Sequence, residues 1–244
     1  MKRYVLALTC IICITFFATA CRENVLRGEG NKSSSVPDVT GFNSVRIEIS
    51  LKAIVNMQEG AQPSVKFDGY ENILKHIKTK VENNKLIIYS DLDDTWTMDS
   101  EDITATITMP SITALTLAGA PDAEVHGNIT GTDFKLDISG ASNVKLDNVN
   151  VDNFGVEVSG AGDITVKGGA VKHAVYEING AGTLKAYPLQ ANETEATISG
   201  AGTSQVTALQ KLTANINGAG TIKYKGHPEV VKEVSGVGTI SDAN

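Results

Sequence analysis

From residue 113 onward, apolar and polar positions alternate with a period of two, and glycine interrupts the alternation at regular intervals. "LDISGASNVKL", "VEVSGAGDITV", "YEINGAGTLKA", "ATISGAGTSQV", "ANINGAGTIKY" and "KEVSGVGTISD" are versions of one phrase. Aligned on the first glycine, Gly119, Gly140, Gly160, Gly180, Gly200, Gly218 and Gly236 are spaced by 21, 20, 20, 20, 18 and 18 residues. A fixed period of about 20 residues marks a solenoid, whose units bury their apolar faces only by stacking on one another. Two positions before the glycine stand Leu117, Ile138, Val158, Ile178, Ile198, Ile216 and Val234. Four positions after it the residues are again aliphatic, apart from Ser204. Alternation on both sides of a glycine predicts two half-buried strands meeting at a corner once per coil.

The expected fold is therefore all-β: a parallel β-helix, or β-solenoid, with coils of about 20 residues and Gly-Ala-Gly corners. With rungs about 4.8 Å apart, about ten coils make a rod about 50 Å long. Glycine at the corner reads as a residue chosen for positive φ and for close approach of backbones. The small residue after it, from Ala120 to Ala219 and then Val237, reads as fitting the inside of the corner. The residue before it is Ser or Asn in six of seven repeats, and reads as a ladder of side chains bonded between rungs.

Residues 37–112 repeat less visibly, so the main domain, 37–244, divides into irregular N-terminal coils or a cap (37–112) and regular repeats (113–244). "FNSVRIEISLKAIV" alternates and places "SLKAIV" where later coils carry the glycine corner. "NNKLIIYSD" and "DITATITMP" predict strands, the first entered by an Asn-Asn turn. "YENILKHIKTKV" fits a helical face through Ile73, Leu74, Ile77 and Val81, yet its second half alternates, and it reads as a strand after a short turn.

The N-terminus changes the picture of where the protein works. Lys2 and Arg3 precede a 14-residue apolar run, followed by small residues and Cys21. The run falls short of the roughly 20 residues of a membrane span and reads as a signal peptide over 1–20. Cys10 and Cys13 lie within it, which leaves Cys21 as the one cysteine of the mature chain. "ATAC" resembles the lipobox of bacterial lipoproteins, so Cys21 is the expected lipid attachment site. Residues 21–36, polar and rich in Ser and Gly, read as a flexible tether. Without Lys2 and Arg3 the chain carries 19 basic against 28 acidic residues, a net charge of −9. That balance argues against nucleic acid as a partner and against electrostatic docking to anionic lipid. Arg22, standing where an aspartate would retain a lipoprotein in the inner membrane, points to the outer membrane.

Taken together, the leader, "FNSVRIEIS", "KTKVENNKLIIYS" and the serial "SGAGDI/NGAGTL" corners resemble the putative auto-transporter adhesin, head GIN domain family over residues 40–244. The resemblance implies a right-handed β-helix and a cell-envelope location, and it transfers no catalytic residue.

The residues themselves argue against most chemistry. A calcium β-roll needs an aspartate in every turn, but the column after the corner is Asp122, Asn143, Asp163, Thr183, Thr203, Thr221 and Thr239. It reads instead as an exposed Thr ladder. Glycoside hydrolysis needs two close carboxylates, one with a raised pKa. Asp122, Asp137, Asp147, Asp152 and Asp163 are the candidates, and His76, His126, His173 and His227 share no phase of the repeat. Neither a metal nor a cofactor site is expected. Trp96, in the acidic loop 91–102, is the most distinctive feature outside the repeat. The functional expectation is a lipid-anchored, non-catalytic module that binds a glycan or protein. A periplasmic scaffold is the alternative, and a carbohydrate-active enzyme the weaker one.

Overall fold

A computed structural model describes residues 24–93, 95–99 and 102–244. The leader, Cys21 and Arg22 lie outside the described residues. Of the described residues 67% are strand, with one short helix among them, and stacked coils form a β-solenoid of about six turns. Eighteen strands join in one continuous sheet system.

The regular coils show why the repeat has its spacing. Parallel pairing runs Ile138↔Val158, Val158↔Ile178, Ile178↔Ile198, Ile198↔Ile216 and Ile216↔Val234, so the aliphatic position two before the glycine stacks on itself. These side chains are buried from Leu117 through Ile216. Each coil has one wall such as 153–158, a second such as 161–166, and a short third side near 149–151. Between the walls the interior is filled by the aliphatic columns and by a stack of aromatic rings. Phe134 lies parallel to Phe154 at 5.7 Å, and Tyr176 meets Phe154 edge-on at 6.0 Å.

The coil shortens from 20 to 18 residues at one place. The register slips between Ala191 and Glu193 as this strand pairs with Thr203–Ile216. Two buried hydroxyls satisfy carbonyls there: Thr207 donates to Tyr187 O at 2.8 Å and Thr194 to Thr207 O at 3.2 Å.

Of the two reasons expected for the corner glycines, close approach of backbones is the general one and positive φ the exception. Of the seven, Gly119 alone has positive φ, at 90°. For the others the constraint is the neighbouring coil: a Cβ on Gly180 would lie 1.9 Å from Gly160 O. That oxygen accepts the N–H of Ala181 at 3.0 Å, and the same bond recurs from coil to coil. The alanine after each first glycine is exposed and faces outward, not into the corner. The second glycine faces inward, where a Cβ on Gly202 would meet Ile178 Cγ2 at 2.9 Å. The Ser/Asn column is exposed and is stacked through its backbone, as when Ser159 N donates to Ile138 O, rather than through a side-chain ladder.

The N-terminal region accounts for there being fewer than ten coils. Ser44–Ile47 and Lys52–Met57 form a true rung, pairing in parallel with Ala114–Leu117 and with the start of Asp122–Ile138. On its other side lie Lys85–Ser90 and Thr104–Met109, so a rung later in sequence stacks before an earlier one. Three further pairings are antiparallel: Ile77–Glu82 on Lys85–Ser90, Ser64–Tyr70 on Thr104–Met109, and Lys32–Ser35 on Ser64–Tyr70. Asn83 and Asn84, with φ of 51° and 61°, make the tight hairpin turn that the Asn-Asn pair predicts. The ambiguous segment resolves into one helical turn, Glu71–Leu74, and the strand Ile77–Glu82. Asn24–Leu26 also pairs with Trp96–Met98, so two stretches of the expected tether join sheets. Backbone pairing at an edge needs no apolar side chains, which is why composition alone reads these stretches as unstructured.

Candidate functional site

Outward-facing residues of a solenoid form columns at the rung spacing, and several places on these walls are concave. The first is a trough of about 650 Å³ over the corners, lined by Ala181, Ala201 and Ala219 on one side and Thr183, Thr203 and Thr221 on the other. The Thr column is exposed or half-exposed, as the sequence predicts. The second is a depression of about 430 Å³ on the wall that carries Gly155, bounded by Lys135, Val175, Glu157 and Glu177 and by Asp133, Asn153 and His173. The third, about 350 Å³, is bordered by Trp96, Tyr89, Leu92, Asp93 and Glu48. Trp96 is 43% exposed on this rim.

The five candidate aspartates are dispersed and mostly engaged in structure. Asp122 accepts from the backbone and side-chain nitrogens of Asn143 at 2.8 and 2.9 Å. Asp147 pairs with Lys167 at 2.8 Å and His126 at 3.1 Å, and Asp152 with Lys172 at 2.8 Å. Asp137 stands on the other wall, paired with Lys135 at 2.8 Å, while Asp163 borders the Thr trough. Where carboxylates depart from their ordinary range they move down. Lys167, then His126, holds Asp147 low, and Lys145 does the same for Glu124. A general acid needs the opposite shift. The Lys135 ammonium is held above its ordinary range by Asp137 and then Glu157. Burial pushes the Tyr176 hydroxyl upward in the core.

The histidines are also separate: His76 bonds Asp91 at 2.8 Å, His126 lies between Asp147 and Glu124, and His173 faces Glu193 at 3.3 Å. Among the described residues no group of three or more His, Cys, Asp or Glu side chains is placed to hold a metal ion. No helix among them is long and apolar enough to cross a membrane. The depression at Gly155 escaped the sequence reading. Its signal was a mid-strand glycine in "DNFGVEV", outside the corner columns.

The model of the putative auto-transporter adhesin, head GIN domain family matches residues 41–228. The chain belongs to that family. A putative adhesin from Bacteroides fragilis superposes with a TM-score of 0.84 at 24% identity, covering 89% of this chain and 100% of the other. A putative adhesin from Parabacteroides distasonis gives 0.70 at 19% identity, covering 90% and 100%. A protein from the same species described as a putative lipid binding protein gives 0.72 at 23% identity, covering 91% and 100%. No curated protein matches the chain. At these identities the likeness concerns the fold.

Proposed function

We propose that this head GIN domain protein is a lipid-anchored, non-catalytic binding module of the cell envelope. In this reading Cys21 carries the lipid, the outer membrane holds the anchor, and the solenoid presents its walls to a glycan or protein partner. The observation that carries the reading is the construction of those walls. Outward side chains are fixed in register by parallel pairing over six turns, which gives a rigid recognition surface with little ordering entropy left to lose on binding. The downward-shifted carboxylates support binding over hydrolysis. The filled aromatic and aliphatic interior supports a lipid that acts as anchor rather than as cargo.

The test combines anchoring, exposure and attachment. Wild-type and Cys21→Ala cells are labelled with radioactive palmitate, shaved with protease while intact or after lysis, and scored for attachment to matrix- and glycan-coated surfaces. The reading expects label on the wild type alone, digestion on intact cells, and reduced attachment when the protein is deleted. Digestion only after lysis would replace it with a periplasmic scaffold.

A further inference from the structure

The wall bearing Gly155 repeats one recognition unit and leaves its second copy unfilled. In the first copy, the Lys135 stem runs beside Gly155, with Cγ 3.6 Å from where a Cβ on that glycine would stand. Its ammonium then bridges two stacked carboxylates, Asp137 at 2.8 Å and Glu157 at 3.1 Å. Pairing continues both columns by one rung: Lys135↔Gly155↔Val175 and Asp137↔Glu157↔Glu177. By that register, the residue at 155 would supply the cation between Glu157 and Glu177. It is glycine, and among the described residues Glu177 takes part in no ion pair.

Packing does not demand this glycine. Its φ is not positive, and an added Cβ would meet nothing closer than Lys135 Cγ at 3.6 Å, an ordinary contact. The corner glycines from Gly140 to Gly236 differ, since a Cβ there would lie 1.5–2.3 Å from backbone oxygen. Glycine inside a strand weakens it, and a position without steric need for it marks a close approach by something else. What it leaves is the 430 Å³ depression, with Val175 38% exposed as its apolar side. With strands about 4.8 Å apart, the space between the Lys135 and Val175 rows is one side chain wide.

We propose that the gap over Gly155 is a docking slot for a single arginine or lysine side chain of a partner protein. The stem lies between Lys135 and Val175, and the charged head sits between Glu157 and Glu177. The slot repeats in trans the contact that Lys135 makes in cis. The acidic balance of the wall, continued by Glu193 and Glu195 on the next rung, favours a cationic partner over an acidic glycan. This inference rests on the binding-module reading and assigns that module a protein ligand.

The test maps amide shifts of the intact protein titrated with a Gly/Ser peptide bearing one central arginine, against the same peptide with citrulline. Saturable shifts at 153–157 and 173–177 are expected, with citrulline at least about tenfold weaker. Glu177→Gln and Gly155→Lys should each weaken binding at least about tenfold at unchanged Tm, the second because its own ammonium fills the slot. Shifts scattered over every acidic surface, no shifts at all, or a Gly155→Lys chain that binds like the parent would overturn the slot. So would the neutral disaccharide cellobiose shifting the same amides in place of the peptide. Cell attachment separates the two levels. If Gly155→Lys cells attach as the wild type while deletion cells do not, the slot fails and the module stands. If deletion cells attach normally, the module reading fails.

Discussion

The two ends of the solenoid solve the same problem in opposite ways. A stack of coils leaves a cross-section of core and a row of unpaired backbone groups at each end. At the N-terminal end the chain covers both. Ser64–Tyr70 and Ile77–Glu82 turn antiparallel against the first rung, and the helical turn Glu71–Leu74 buries Ile73 and Leu74 in the same core cluster as Phe67 and Val65. At the C-terminal end nothing among the described residues lies beyond Glu229–Val234 and Val237–Asp242. Val231, Val234 and Val237 are exposed there, by 50%, 43% and 84%. Two inward columns change character on this rung: Lys232 stacks on buried Ala214, and Asp242 on Tyr224. One end is covered by structure, and the last described rung instead carries a charged residue in two of its inward columns.

The largest expected effect separates the middle of the stack from its open end. Gly180→Val drives a side chain into Gly160 O from within a stack covered on both sides. It should cost about 5 kcal/mol or more, enough to unfold a domain of ordinary stability. Gly236→Val makes a similar clash, 2.1 Å from Gly218 O, but the last rung is free to swing away. Its cost should stay near the stability of that one rung, with hydrogen exchange raised only beyond residue 228. Global unfolding by both variants would show that the open end is as tightly coupled as the centre.

Next comes the contrast in burial. Phe67 is 2% exposed in the cap, whereas Val234 holds an equivalent inward position at 43%. Phe67→Ala should cost about 3–4 kcal/mol in urea unfolding and Val234→Ala less than about 1 kcal/mol. Similar losses would mean that the C-terminal rung is covered in solution.

How much of this was legible from sequence follows from the range of the interactions. The corner columns were legible because each stacks on itself one period away, so Leu117 through Ile216 identified the core directly. The cap was not, because Lys85–Ser90 stacks under the earlier Ser44–Ile47, a crossing that no local period encodes. The glycine corner was right in place and in one of its two expected causes: close approach of backbones holds, and positive φ holds at Gly119 alone. Outside Gly119, what excludes a side chain is the backbone of the next coil, which is remote in sequence. The candidate site lay furthest from view, since Gly155 acquires meaning only once Lys135 and Val175 are known to flank it.

If charge guards the open end, removing it should expose the edge. An inward charge on an edge strand discourages pairing with another chain, because joining would bury it. Lys232→Val restores an apolar inward column on the last rung and should produce concentration-dependent dimers or larger species in analytical ultracentrifugation. The outward change Glu233→Val leaves the guard in place and should not. A monomeric Lys232→Val protein at high concentration would assign the protection to backbone geometry instead.

The smallest effect concerns acid, and it again divides the molecule along its length. Cross-rung ion pairs such as Glu124–Lys145 and Asp147–Lys167 all lie before residue 194, and no ion pair among the described residues extends past Glu193. Lys167 and Lys145 depress the pKa values of Asp147 and Glu124 in the folded state. A depressed carboxylate contributes stability that is fully present above its unfolded value, near 3.8 for Asp147 and 4.5 for Glu124. That contribution is lost as pH falls through the lower folded value. Partly exposed pairs of this kind contribute only tenths of a kcal/mol each. Lowering the pH from 6 to 3 should therefore raise hydrogen exchange in the rungs around Glu124, Asp147 and Lys167 more than in those after residue 211. Asp147→Asn should lessen that acid response without moving exchange at pH 6 by more than a few tenths of a kcal/mol. An equal acid response at both ends would attribute it to net charge, acting over the whole rod, and not to the pairs that cross its first coils.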